Sequence, residues 1–308
     1  MKWIYPDYYP QFKCIADRCR HNCCIGWEID IDYSTMGKYQ KMKGPMGDRV
    51  RRNIEGSALD GHFILDENER CPLLNENGLC DLILEKGEKA LCQICRDHPR
   101  FRYRLKDREE IGLGLCCEEA CRLILDQKEP MRLLLEDNGR SKAELSNGEK
   151  EDLSRRNRLL AIATDRSQSV YNRMDRILEE EEEELPDLPF KQWVDILLQL
   201  ERLDENWTTL LKRRRNGPFR ASIDDITQEN LLVYFLYRHY LKNSREGAYF
   251  CGAAAFSVLS TQIIALLCEK QSDVYDVARM YSAEIEYSDE NLDALMGMLN
   301  EYNGGTME

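Results

Sequence analysis

The N-terminus of the 308-residue sequence has no continuous apolar core, since MKWIYPDYYPQF mixes aromatics with prolines. That argues against a secretion signal and predicts a cytoplasmic protein whose thiols stay reduced. Positive charge is also in the minority: 43 Lys and Arg stand against 56 Asp and Glu, a formal net charge of -13. A chain of that sign repels a phosphate backbone, which excludes nucleic acid as a general partner and favours a basic or lysine-bearing substrate. No internal repeat is present. The one run with the length of a membrane span, Ala248 to Cys268, contains Ser257, Ser260, Thr261 and Gln262 and lacks aromatic and basic anchors on both flanks. It reads as the buried central helix of a bundle, not as a span.

Two cofactor signatures are missing as well. Gly112 and Gly114 follow a possible strand, but a single GxG running into Cys116 and Cys117 lacks the third glycine and the βαβ context of a nucleotide loop. No C-x3-C-x2-C motif occurs either. Cys19 and Cys23 have its first spacing, yet Cys24 is adjacent and position 26 is glycine. A conventional radical mechanism therefore does not follow from the sequence.

What the sequence has is cysteine, and nearly all of it at one end. Eleven of the thirteen lie in the first 121 residues, leaving Cys251 and Cys268 in the apolar helical part. The charge divides differently: residues 1–121 carry 19 basic and 21 acidic side chains, and the remainder 24 and 35, so the acidity belongs to the second part. Thiols in a reducing compartment point to metal binding or redox chemistry, not to disulfides. Burial as small hydrophobes accounts for Cys251, Cys268 and Cys116. It does not account for CIADRCRHNCCIGW, where Cys14, Cys19, Cys23 and Cys24 fall within eleven residues. Further along, Cys71 and Cys80 flank the turn signal Asn77-Gly78, which can fold them back towards one point. Cys92 and Cys95 form a CxxC. Cys117 sits in the first turn of a helix, where thiolates are stabilised, with Cys121 one turn later on the same face. Thiolates of this kind hold zinc or an iron–sulfur cluster. The irregular gaps suit the larger cluster better than paired zinc knuckles do.

Hydrophobic patterning predicts a mainly α protein in two parts: a loop-rich, cysteine- and metal-binding N-terminal region with short strands over 1–137, a polar linker over 138–151, and a helical bundle over 152–308. In the first part, Glu28 to Ile31 and His62 to Leu65 read as strands, and residues 33–56 as two short helices. Arg100 to Lys106 alternates strictly and can pair with Ile111 to Leu115; its basic face reads as a charged edge strand. In the second part, Leu153 to Leu178 reads as one long helix running into a solvated acidic end at Glu179 to Glu184. Trp193, Leu197, Leu200, Leu203, Trp207 and Leu211 read as one buried stripe. A helix begins near Ser222, and two more cover Asp273 to Ile285 and Asp289 to Tyr302.

Taken in order, C-x4-C-x3-CC-x-GW at Cys14 to Trp27, CPLL with GLC at Cys71 to Cys80, Cys95 followed by His98-Pro99-Arg100, and Cys-Glu-Glu-Ala at Cys117 to Ala120 resemble the flagellin lysine N-methylase family. The resemblance covers roughly residues 12–125. It implies methyl transfer from S-adenosylmethionine to flagellin lysines, with a cysteine-bound iron–sulfur cluster of the 4Fe–4S type. It also implies Cys14, Cys19, Cys23, Cys24, Cys71, Cys80, Cys95 and Cys117 as metal ligands, and leaves Cys92, Cys116 and Cys121 as additions. The chain departs from the family pattern at His98, where tyrosine is usual, and at Glu118, where proline is usual. A lysine amine with a pKa near 10.4 needs a base or a desolvating pocket before it attacks a methyl sulfonium. His98 and Asp97 are candidates for that base, although a histidine in such a loop is more often a structural hydrogen bonder. The competing class is a non-enzymatic zinc- or iron-binding protein whose helical part recruits a protein partner.

Overall fold

The structure, a computed structural model, describes residues 2–137, 139, 143–217, 220–243 and 252–304. It is mainly α-helical, and it divides into two compact units, Met1–Phe12 with Phe101–Glu308, and Lys13–Arg100. That division differs from the expected boundary at 138–151, and the reason is strand pairing. Strand β1 (Lys2–Pro6) opens the chain. The unit 13–100 then contains α1 (Tyr33–Lys41), α2 (Pro45–Arg52), the two-stranded pair β2 (Ile54–Glu55) and β3 (His62–Phe63), α3 (Asp81–Lys86) and α4 (Gln93–Asp97). Glu28 to Ile31 is not a strand. Its alternation is nevertheless real, with Ile29 and Ile31 buried and an isolated bridge from Asp30 to His62.

After this unit come β4 (Arg100–Arg104), β5 (Arg108–Leu113), α5 (Glu118–Leu125) and β6 (Leu133–Asp137). The sheet has the order β4-β5-β1-β6, so the basic strand β4 is an edge, as expected. β1 runs parallel to β5, with Lys2 opposite Arg108 and Ile4 opposite Glu110, and antiparallel to β6. The first strand is thus built into the later unit, and residues 13–100 form an insertion between β1 and β4.

The helices that follow are α6 (Asn147–Ala163), α7 (Val170–Glu181), α8 (Phe190–Leu197), α9 (Glu205–Arg214), α10 (Asp225–Asn243), α11 (Ala253–Leu267), α12 (Val274–Tyr281) and α13 (Asp289–Tyr302). A π-turn, Ser282–Glu286, joins α12 towards α13. Several expectations change here. Helix α6 starts inside the expected linker because Ser146 and Glu149 form a capping box, each side chain bonded to the other residue's backbone N–H. The expected helix from Leu153 to Leu178 is two helices, broken before the N-cap Ser169. The stripe from Trp193 to Leu211 is also two, because Asp204 caps α9 and Leu203 is exposed. The acidic run is not wholly solvated: Glu183 is buried, and its carboxylate accepts from Ala255 N–H at 2.7 Å at the start of α11. There a negative charge meets the positive end of the helix.

Helix α11 is buried along nearly its whole length, as its composition predicted. Cys251 and the start of that apolar run lie outside the described residues, as does part of the expected linker. Among the described residues no helix is long and apolar enough to cross a membrane.

One ion pair ties the sheet to the helices. Arg156 of α6 makes two bonds, 2.7 and 3.1 Å, to the carboxylate of Glu110 in β5, and both side chains are almost fully buried. Removing one partner strands the other charge in a low-dielectric interior. Arg156→Met should therefore cost about 3–5 kcal/mol of stability, read as a lower urea midpoint at unchanged slope; a loss under about 1 kcal/mol would show that water reaches Glu110.

Candidate functional site

In the unit 13–100 the backbone folds the thiols onto one small apolar core. Ile29, Ile31, Met36, Tyr39, Val50, Phe63 and Leu82 are buried together with Cys71 and Cys92, and Cys24, Cys80 and Cys95 pack half-buried against them. Each thiol is brought there by local bonds. Asn22 accepts from Cys24 N–H and donates to the Gly78 carbonyl, both at 2.9 Å. Cys71 N–H donates to the Cys24 carbonyl at 2.9 Å, and Ile25 bridges to Arg70, so the first cysteine run lies antiparallel to the approach to Cys71. Gly26 permits this with φ of 86°.

The turn at Asn77-Gly78 forms as expected. The Asn75 side chain accepts from Asn77 and Leu79 N–H, Gly78 takes φ of 72°, and Leu74 bridges to Cys80. Arg49 clamps this loop, donating to the Pro72 carbonyl and to Asp81 at 2.5 Å.

The CxxC is placed by Asp32. Its carboxylate caps α1 through Thr35 N–H at 3.0 Å and accepts from Gln93 N–H at 2.8 Å, which holds the first turn of α4. Cys92 is the N-cap of α4 and Cys95 lies in its first turn. Burial raises the Asp32 carboxyl, but hydrogen bonds from Ser34, Gln93 and Thr35 outweigh it and hold its pKa well below the usual carboxylate range.

The thiols associate in pairs. Cys23 interacts with Cys24, and Cys92 with Cys95. In each pair the neighbouring thiol makes the first proton easier to lose and the second harder, so Cys23 and Cys92 fall below the ordinary thiol value while Cys24 and Cys95 rise far above it. Burial pushes Cys71 up to about 11, and the charges of Cys80 and Cys92 act on it as well. The donor chemistry suits a soft metal or an iron–sulfur cluster. Among the described residues, however, no three His, Cys, Asp or Glu side chains are gathered into a site for a single metal ion.

The remaining expected ligands lie elsewhere. Cys14 is exposed and its sulfur accepts from Ala16 N–H at 3.4 Å, while Cys19 S–H donates to the His21 carbonyl at 3.2 Å. Cys117 belongs to the other unit, as the N-cap of α5. The His98 ring packs against Trp27, centroids 5.7 Å apart, and the Trp27 indole N–H donates to the Cys23 carbonyl.

The unit 101–308 contains a second polar cluster that sequence reasoning missed. Glu286, in the π-turn, is fully buried and accepts from Tyr234 at 2.9 Å, His239 at 2.6 Å and Arg238 at 3.2 Å. Burial raises its carboxyl, but Arg238 and His239 outweigh that and keep it ionised. The Arg238 guanidinium lies over the rings of Phe101 and Tyr287, at 5.2 and 4.8 Å from their centroids. This cluster accounts for Gly112 and Gly114. A Cβ at 112 would come within 2.1 Å of the Phe101 ring, and one at 114 within 2.3 Å of the Tyr287 hydroxyl. Both glycines make room for aromatic side chains.

Fold and site define a two-unit protein in which a thiol-rich insertion interrupts a mainly helical unit. The helical part matches the family model described as the FliB lysine N-methylase C-terminal domain, over residues 103–308. The chain belongs to that family. It is 31% identical over 141 residues to a lysine-N-methylase of Salmonella typhimurium, covering 42% of this chain and 33% of that protein, and likewise to one of Salmonella choleraesuis. A flagellar biosynthetic protein FliU of Salmonella muenchen is 30% identical over 141 residues, 42% of this chain and 79% of that one. This chain therefore spans about a third of the lysine-N-methylases it matches. No solved structure matches. The sequence motifs had pointed to the family from residues 12–125, whereas the family model matches residues 103–308, so the helical part carries a family signature that amphipathic patterning alone did not reveal.

Because Asp32 has a lower pKa in the folded chain than in the unfolded one, the stability it contributes is full above pH ~4 and is lost as pH falls below that value. Asp32→Ala should cost about 1–2 kcal/mol at pH 7 and flatten the acid limb of the stability profile; an unchanged limb would mean that another carboxylate governs it.

Proposed function

We propose that the chain is a protein-lysine N-methyltransferase that acts on flagellin with S-adenosylmethionine as methyl donor, and that its thiol-rich unit holds an iron–sulfur cluster. The observation that carries this reading is membership of the FliB lysine N-methylase family through residues 103–308. The name of the FliU relative adds the flagellar connection. The excess of acidic over basic side chains beyond residue 121 supports a basic, lysine-bearing target.

In the transfer the lysine nitrogen attacks the methyl carbon, the carbon–sulfur bond breaks with its electron pair on sulfur, and S-adenosylhomocysteine leaves. The ammonium proton must go to a base or to solvent before attack, because a protonated amine has no lone pair to offer. Burial of the acceptor side chain helps, since desolvation lowers an amine's pKa.

Cys24, Cys71, Cys80 and Cys95 are the family-implied thiols that fit a metal centre best, because they pack on one core; Cys23 is exposed and adjoins Cys24 in sequence. A polynuclear cluster spreads its thiolates over several irons, so thiols set out in pairs suit it better than they suit one zinc ion. Bound there, a cluster would staple the segments around residues 24, 71–80 and 92–95 and provide a redox-active centre. Such a centre fits a cytoplasmic protein with reduced thiols.

The test is transfer of a labelled methyl group from S-adenosylmethionine to purified flagellin. Label on flagellin lysines, located by mass spectrometry, is the expected result. Metal-loaded protein that leaves flagellin unlabelled would leave the reading of a metal-binding partner module in its place.

A further inference from the structure

The sheet β4-β5-β1-β6 has two edges, and they differ. Edge strands are ordinarily guarded by lysine, arginine or proline, which oppose pairing with another chain. Strand β4 carries Arg100, Arg102 and Arg104. Strand β6, with the sequence LLLED, carries none of these guards. We propose that the free edge of β6, together with the solvent-facing side chains of β1 beside it, docks an extended lysine-bearing segment of the protein substrate, added to the sheet as a further strand. This rests on the reading of the target as a lysine-bearing protein and on no cofactor.

The register shows which backbone groups are open. β1 and β6 pair antiparallel, with Trp3 opposite Glu136, Tyr5 opposite Leu134 and Pro6 opposite Leu133. Directly opposed pairs alternate between those that exchange hydrogen bonds and those that do not. Asp7 N–H donates to the Arg132 carbonyl at 2.9 Å, and Pro6 has no N–H to give. Residues 132, 134 and 136 therefore spend their backbone groups on β1, and Leu133, Leu135 and Asp137 turn theirs to the free edge. Among the described residues no strand pairs there. A strand laid on that edge gains main-chain bonds without breaking any in the sheet.

The side chains select the partner. Ile4 and Pro6 face the core and are buried, which leaves Trp3 and Tyr5 on the solvent side. Trp3 is 38% exposed, Leu134 40% and Leu135 61%, so an incoming strand has apolar surface to cover. The register places a carboxylate on either side of Trp3, Glu109 on β5 and Glu136 on β6. Arg102 takes up Glu109 at 3.5 Å. Glu136 accepts from the Tyr5 hydroxyl at 3.4 Å, and among the described residues neither it nor Asp137 has an ion-pair partner. An aromatic face next to an uncompensated carboxylate suits an ammonium group, through cation–π attraction and through charge. A segment that alternates lysine with apolar residues would send its lysines towards Glu136 and Trp3 and lay its apolar side chains over Leu135.

The test uses the whole chain and two fluorescein-labelled peptides read by fluorescence anisotropy, one alternating lysine with valine and the other glutamate with valine. Wild type is compared with Leu135→Pro and Glu136→Lys. Proline at 135 removes an N–H that points away from β1, so the sheet is kept while strand addition is blocked. Glu136 is a surface side chain, so its variant decides the question should the proline variant fail to melt as a folded protein. The expected result is binding of the lysine peptide that weakens with salt, at least about tenfold lower affinity in both variants, and no comparable binding of the glutamate peptide. Equal affinity in wild type and folded variants overturns the proposal, as does wild type that ignores the lysine peptide. Sedimentation that shows wild type as a dimer and folded Leu135→Pro as a monomer overturns it too, since the edge then serves to pair two copies of the chain. Wild type that binds the lysine peptide through this edge yet leaves flagellin unlabelled upholds the docking surface and contradicts only the methyl-transfer reading.

Discussion

The pairing of β1 with β5 is the constraint on which the rest of the molecule depends. Parallel strands cannot be joined by a hairpin and need a long crossover. Here the chain between them includes the whole thiol-rich unit. The Tyr237 hydroxyl of α10 lies 3.2 Å from the carbonyl oxygens of both Ile4 and Ile111, so one phenol pins both strands to the helical unit. Arg156, bonded to Glu110 on the same strand, lies over the Tyr237 ring at 5.2 Å. Strand, phenol and ion pair together make the N-terminal residues part of the helical core and leave 13–100 to build a core of its own.

That smaller core is thin in apolar side chains, and small cores are marginal without a staple. The thiols lie where a staple would act. Arg49 and Asn75 hold the loop that carries Cys71 and Cys80, and Asp32 holds the first turn of the CxxC helix, each through a polar bond at 3.1 Å or less. In the helical unit the corresponding polar investment is the cluster around Glu286, where every partner keeps a buried carboxylate charged and the flanking glycines leave it space. Buried ionic clusters of this kind fix one arrangement more than they add stability.

Much of this was legible in the sequence. An unbroken apolar run marked α11, strict alternation marked β4, and Asn77-Gly78 marked the turn that brings Cys80 back towards Cys71. Other features were present but misjudged. Ser146 and Glu149 are a capping box that composition alone made look like linker. The remainder depends on distance. β1 is rich in aromatics and proline, and its partner β5 lies about a hundred residues on, so no local pattern announces it. Gly112 and Gly114 looked like a fragment of a nucleotide loop because a sequence does not show the Phe101 and Tyr287 side chains that occupy their Cβ space. Glu183 looked solvated for the same reason, since the N-terminus of α11 that it caps is some seventy residues away. Membership of the family was visible from the cysteine motifs, while the family model matched the helical unit; the two signals are complementary parts of one chain.

The central claim is that the thiols of residues 13–100 form a sulfur-ligated iron centre. X-ray absorption at the iron and zinc edges of the wild-type chain, purified without oxygen, tests it most directly. The account predicts an iron edge with a sulfur first shell and iron–iron scattering behind it. A first shell of nitrogen and oxygen, or zinc in place of iron, would contradict it.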